Sequence, residues 1–396
     1  GFKRAEARMA DVEKKLRAGM DRNHIAGAAQ DEIIKSITSF ALYGFPESHA
    51  ASFALIAYAS AYLKCHYLAG FTAATLNNQP MGFYQPFTII KDAQRHGLKV
   101  LPVDVTRSNW ECVVAQVDNL RHLRLGLLCV KGLREEAGRA IVRARSEKLF
   151  SSLDDLHHRV PELRKDELRK LAAVGALNFI GSAGVLPAKP AKQARAVRAD
   201  ALNAGRTAPQ PGCPAGDPAM PALPAHRRDA LWQVERVSRD PGPLYEKLEE
   251  AGGSPLLPMT LNERLNADLR GTGITIGRHP MAHQRAWLET LNVTRAGDLK
   301  TLRNGVPVKV AGWVIVRQRP GTAKGFVFLS LEDETGIANI IVNPQIFETN
   351  RLALVEFPFL LIEGALQHQD NVVSVKAKRI EPLQMKVESP GSHDFH

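Results

Sequence analysis

Through most of the first 180 residues the large apolar side chains recur at helical spacing, whereas from 306 to 380 they gather in short runs rich in Val and Ile and separated by turn residues. The first pattern predicts helices and the second predicts strands. Residues 1–24 read as a charged helix. Ile33, Ile34, Ile37, Phe40 and Ala41 mark an amphipathic helix that stops at Gly44. Pro46 bars its continuation, and Ser48 is placed to cap the next helix. That helix carries Ala50, Ala54, Leu55, Ile56, Ala57 and Leu63, apolar or small on nearly every face, so it is expected to be buried all round. A short helix over Phe87 to Ala93 closes at His96-Gly97, Leu98 to Val105 reads as a strand, and residues 256–291 are again mostly helical.

The late strands fall at 308–317, 325–331, 336–342, 359–364 and 372–377, with a turn at Pro320-Gly321 and a helix near 346–352. Five strands with a helix between the third and fourth is the order of an OB-fold barrel, which commonly holds oligonucleotides on strands two and three. Arg317, Arg319 and Lys324 lie where a groove tracking a phosphate backbone would run. Alternation puts Phe326 and Phe328 on one face, assigned to the barrel core ahead of a stacking role in that groove.

Between the two patterns, Leu125 to Ile141 resembles a helix-hairpin-helix, in which a glycine-containing turn leads into a helix whose unpaired N–H groups face a DNA phosphate. Gly132 lets the backbone approach, Lys131 and Arg134 add charge, and Arg139, Arg143 and Arg145 follow along the second helix. A weaker second unit runs from Arg159-Val160-Pro161 to Gly175. The alternative is an αα-hairpin packed on a neighbour with a solvated basic face.

Charge strengthens the nucleic-acid side. Lys and Arg number 52 against 41 Asp and Glu, a net +11, and residues 121–170 hold thirteen against eight. A basic surplus attracts polyanions. No apolar run reaches the ~20 residues of a membrane span. The four cysteines form no C-x-x-C pair, which argues against a zinc knuckle or a disulfide framework and fits a reducing cytoplasm. Residues 181–225 hold eight of the 24 prolines and few large apolar groups, the composition of a flexible linker. Asp104 is a lone carboxylate without the convergent partners of a metal-dependent phosphoryl-transfer site, so no metal ligand is assigned.

The string from Tyr43-Gly44-Phe45-Pro46-Glu47-Ser48-His49 to Tyr67 resembles the fingers of bacterial C-family replicative polymerases, the DNA polymerase III α subunits. Asn77-Asn78-Gln79-Pro80-Met81-Gly82-Phe83-Tyr84, Asp268 to Met281 and the ending Asp394-Phe395-His396 resemble the error-prone, translesion branch. The resemblance implies a multidomain chain. It would comprise fingers over 1–115, a helix-hairpin-helix module over 116–180, the linker over 181–225, a helical connector over 226–300, the OB barrel over 301–385 and a tail over 386–396. It also implies a piece of a longer chain, since the palm aspartates of the family, which act with Mg2+ in the complete polymerase, match nothing here. No catalytic residue and no cofactor is therefore expected in this chain, which should bind DNA without polymerising alone. His49 and Lys64 are candidate triphosphate ligands, a cation there offsetting developing charge. Local bonding for His49 and snorkelling for Lys64 stand beside that reading. The partners implied are primer-template and single-stranded DNA, other translesion proteins and, through them, the sliding clamp. Two rivals remain: a stand-alone DNA-binding remnant, and a tRNA-binding OB module like those of class II aminoacyl-tRNA synthetases.

Overall fold

The structure is a computed structural model that describes residues 2–42, 47–80, 84–180, 226–236, 254–369, 372–385, 387 and 393–395. The expected helix stop at Gly44, Pro46, the Met81-Gly82-Phe83 string and the 181–225 linker lie outside the described residues.

Five helices open the chain: α1 (Phe2–Arg22), α2 (Ala28–Leu42), α3 (Glu47–His66), α4 (Leu68–Asn77) and α5 (Pro86–Arg95). Arg17 ties the first pair together through Asp31 at 2.8 Å. α3 begins at Glu47, one residue before the expected cap Ser48. Its predicted burial is corrected: Phe53 is 57% exposed, Ile56 60% and Tyr58 73%. An all-apolar helix is able to be buried, but its composition cannot supply the neighbours, and among the described residues nothing covers these side chains.

Next come β1 (Val100–Leu101), β2 (Val113–Val117) and β3 (Leu120–Arg124), a small sheet in which β3 pairs antiparallel with β2 and parallel with β1. The strand expected over 98–105 shrinks to two residues. Pro102 has no N–H for a ladder, and Asp104 folds the chain by accepting from the Thr106 amide at 2.8 Å and its hydroxyl at 2.7 Å. The β2–β3 hairpin was not anticipated. Its turn, Asp118-Asn119, has both residues at positive φ, the geometry of a type I′ turn.

The helical core is completed by α6 (Glu135–Glu147), α7 (Leu153–Arg159), α8 (Lys165–Ala173) and α9 (Arg227–Arg236). Apolar positions at helical spacing, Ile141, Leu156, Leu168 and Leu171, point inward and join Ile90, Leu123 and Leu127 with no exposed surface. α10 (Leu261–Thr272) starts with a Thr260–Glu263 capping box and ends at Gly273, whose φ of +70° is the left-handed stop that glycine supplies. Two short helices follow, α11 (Pro280–His283) and α12 (Arg285–Thr290).

The barrel consists of β4 (Pro307–Gln318), β5 (Val327–Glu332), β6 (Ile337–Val342), α13 (Pro344–Thr349), α14 (Arg351–Glu356), β7 (Phe359–Gln369) and β8 (Val372–Pro382). β4 pairs antiparallel with both β5 and β7, β8 pairs antiparallel with β7, and β8 runs parallel to β6, which closes five strands in the order 4-5-6-8-7. That is an OB-fold, as the strand order predicts. β9 (His393–Phe395) adds a parallel strand beside the end of β4. Val314, Val342, Leu360, Ile362 and Val375 fill the interior with no exposed surface.

A third cluster joins helices to barrel. Phe87 of α5 stacks at 4.6 Å on Trp313, which meets Phe359 at 5.4 Å, with Leu265, Met281 and Leu288 around them. Beside this apolar seam lies a buried polar one: Arg95 donates to Glu332 at 2.7 Å and Lys91 to the Gly277 carbonyl at 2.6 Å.

Candidate nucleic-acid interface

The hairpin region is a doubled unit. Val130-Lys131-Gly132-Leu133-Arg134 precedes α6 and Val160-Pro161-Glu162-Leu163-Arg164 precedes α8, so both turns read V-x-x-L-R. Each valine and leucine is buried, each turn closes with a Leu N–H donating to the Val carbonyl (3.2 and 3.1 Å), and each arginine is the helix N-cap. The turns differ at their tips, where Lys131 and Gly132 (φ +75°) in the first correspond to Pro161 and Glu162 in the second. Only the first is shaped and charged to approach an anion.

Much of that first tip is already engaged within the chain. The Arg134 amide and Nε both donate to Glu167 Oε1 at 3.0 Å, and Nη2 reaches Oε2 at 2.9 Å. Glu167 also accepts from the Arg164 amide at 3.0 Å, so one buried carboxylate bridges the N-termini of α6 and α8. Burial alone would raise its pKa, but the Arg134 guanidinium and the two amides together hold it below the usual carboxylate range. The Lys131 amide donates to the Gly271 carbonyl at 2.7 Å, and its ammonium points at the Leu269 carbonyl, 3.5 Å away, at the end of α10. Gly132 faces Lys170, whose ammonium donates to the Gly132 carbonyl at 3.0 Å. Arg145 bonds the carbonyls of Val105 and Ser108 and so holds the turn built around Asp104. Arg139 and Arg143 remain as solvent-facing cations, in surface pairs with Glu135 (2.7 Å) and Glu162 (3.4 Å) that a phosphate can displace.

On the barrel the structure separates the expected residues. Phe328 is 37% exposed, not in the core, because the short β5 starts at Val327 and its inward positions are taken by Val327, Leu329 and Leu331. Phe326 lies before that strand, in the turn. Phe328 lines a groove of about 490 Å³ with Gln318, Ser330, Asn339, Gln369 and, from the helical part, Tyr84. Among the described residues no charged side chain lines it. Arg317 and Arg319 flank Gln318 and so point the other way, into a second cavity of about 640 Å³ beside α13 and α14. There Arg317 donates to the carbonyls of Leu354 (2.6 Å) and Phe357 (2.7 Å), while Arg319 lies 4.4 Å over the Phe347 ring. Lys324 is exposed in the loop before β5.

His49 and Lys64 sit at opposite ends of α3, about 22 Å apart along a helix axis. His49 is exposed with its ring on Phe53 at 4.5 Å, and Lys64 pairs with Asp92 at 2.6 Å. They do not converge on one triphosphate. Among the described residues no group of three or more His, Cys, Asp or Glu is arranged to hold a metal ion, and no helix is long and apolar enough to cross a membrane.

Sequence reasoning missed the residues that join the parts. Glu332 is fully buried at the end of β5, where burial raises its carboxyl to about 7 against the pull of Arg95. Burial lowers Lys91 nearby to about 8. His279 stacks on Phe87 and is held well below its usual value by burial and by Lys91, Arg95 and Arg285. A charged residue closing a largely apolar strand was the available signal, but its partner lies 237 positions away.

Two family models match: a helix-hairpin-helix motif over residues 97–183 and an OB-fold nucleic acid binding domain over residues 308–383. Proteins named error-prone DNA polymerase are similar along the chain. One from Anaeromyxobacter sp. (strain K) is 38% identical over all of this chain and 32% of its own length. Another, error-prone DNA polymerase 3 of Agrobacterium fabrum, is 36% identical over 93% of this chain and 31% of its own. The chain spans about a third of the length of these curated relatives. Among solved structures, asparaginyl-tRNA synthetase from Pyrococcus horikoshii is 26% identical over 25% of this chain and 24% of its own, with a TM-score of 0.22.

Proposed function

Starting from a chain that is related over its whole length to the error-prone DNA polymerases, we propose that it is the DNA-holding part of such an enzyme, acting in replication and damage-induced translesion synthesis. The barrel groove takes the single-stranded template, Phe328 and Tyr84 stacking on bases while the amides of Gln318, Asn339 and Gln369 bond their edges. The hairpin unit lies against the duplex, with Arg139 and Arg143 meeting phosphates. The observation that carries this reading is an exposed aromatic in a groove, lined among the described residues by no charge, on the strand face where OB barrels hold oligonucleotides. Nucleotide addition, with Mg2+, belongs to the complete polymerase, and this chain alone does not extend primers. Other translesion proteins and, through them, the sliding clamp are its partners, in the cytoplasm.

The test is binding of the purified chain to primed template, single-stranded DNA and tRNA across a salt series, with primer extension assayed alongside. The reading expects preference for DNA and no extension. Preference for tRNA favours the synthetase-like alternative, and robust extension overturns the non-catalytic assignment.

A further inference from the structure

That reading leaves the cavity nearest the groove's Tyr84 unused. It lies between α4 and α5, measures about 400 Å³ and is walled by Leu68, Phe71 and Ile89, with Ile337 of β6 on one side. Tyr84, 51% exposed, lines both this cavity and the Phe328 groove, so the two adjoin at that residue. Resting on the reading that a single strand lies along the groove, we propose that this cavity receives one nucleobase turned out of that strand, with Tyr84 supporting it at the mouth.

The size lies within the ~300–1,000 Å³ range of small-molecule sites, and the walls are apolar, as a ring face requires. The polar edge is rich in acceptors. Thr72 and Thr75 donate their hydroxyl protons to the carbonyls of Leu68 (2.7 Å) and Phe71 (2.8 Å), leaving oxygen lone pairs as their remaining capacity. Asp92 at the rim accepts from Lys64 at 2.6 Å and has lone pairs to spare, while the ammonium keeps further donors. Acceptors therefore outnumber donors, and the bases that bear an exocyclic amine (adenine, cytosine and guanine) suit the site better than thymine. Turning out a base that is already single-stranded is the least costly form of extrusion.

The experiment titrates the full chain with single-stranded oligonucleotides of about 12 nucleotides, within the span an OB groove covers. Homopolymers of dA, dC and dT are compared, and one abasic site is moved along the dA and dC strands. One abasic position is expected to weaken binding about tenfold, the value of one stacked base. That penalty should vanish when Thr75→Trp fills the cavity and when Tyr84→Ala, an exposed site that spares the fold, removes the mouth. Phe328→Ala reports on the groove separately. If no position stands out, or the penalty persists in both variants while Phe328→Ala still weakens every strand, the cavity takes no base and the groove reading stands. If Phe328→Ala changes nothing, the groove reading fails and this inference with it. Equal affinity for dT, dA and dC overturns the amine preference.

Discussion

The hairpin unit and the barrel groove are both nucleic-acid modules, yet they differ in what their polar groups are doing. In the hairpins nearly every group that sequence assigns to phosphate already has an internal partner: Arg134 holds Glu167, Arg145 holds two carbonyls and Lys131 faces the end of α10. Among the described residues the groove is lined by no charged side chain, only by amides, hydroxyls, apolar groups and aromatic rings. A rich basic composition therefore marks the module whose cations mostly build the fold, while the less basic module offers the more open contact surface. Four perturbations sharpen or break that contrast.

The largest effect is expected from Arg134→Ala. It takes the guanidinium away from the buried Glu167 carboxylate, which then keeps only the two backbone amides at the starts of α6 and α8. The denaturant midpoint should fall accordingly, whereas Arg143→Ala, 64% exposed, should leave stability within about 0.5 kcal/mol. Equal, small effects would mean that Arg134 is as available as Arg143.

Second is the pH response of the seam that joins the two modules. Glu332 has its folded pKa raised by burial to about 7 from the usual 4.5, so the unfolded chain releases that proton first. Its contribution to stability therefore falls as pH rises from about 4.5 to about 7 and is flat above. Glu332→Gln, which holds no titratable proton, should flatten that stretch in a comparison of melting temperatures. A wild-type profile parallel to the variant's would contradict the assignment.

Third, Phe328→Ala should weaken single-strand binding by about 1–3 kcal/mol with an unchanged melting temperature, because the ring is a contact and not core. A large loss of stability would restore the core reading. Smallest is the effect of Arg139→Ala with Arg143→Ala, which should lower the salt slope of duplex binding by about 2, close to one unit per phosphate contact. An unchanged slope would place the duplex elsewhere.

The barrel was legible because strands such as β5 and β6 have one face in the core and alternate accordingly, while β4, buried on both faces from Val310 to Val316 between the barrel core and the helical seam, reads as a continuous apolar run. The paired hairpins were legible through Gly132 and the stop at Gly175. The rest depends on partners that spacing does not specify. Arg134 reads as a phosphate ligand until Glu167 is seen 33 positions on, and α3 reads as buried because composition does not say what covers it. The sequence puts Phe326 and Phe328 on one face of a strand, but β5 begins a residue beyond Phe326, so the alternation does not reach it, and which face is inside depends on barrel closure. The β2–β3 hairpin carried a signal that went unused, the Asp118-Asn119 pair between alternating valines.

The most direct test is the salt dependence of binding for a short single strand and for a primed duplex, measured on the same wild-type chain. A neutral stacking groove predicts a shallow single-strand slope, at most about one counterion, beside a steep duplex slope that reports Arg139 and Arg143. A single-strand slope as steep as the duplex slope would mean that cations, not Phe328 and its amide neighbours, hold the strand, and the contrast between the two modules would be wrong.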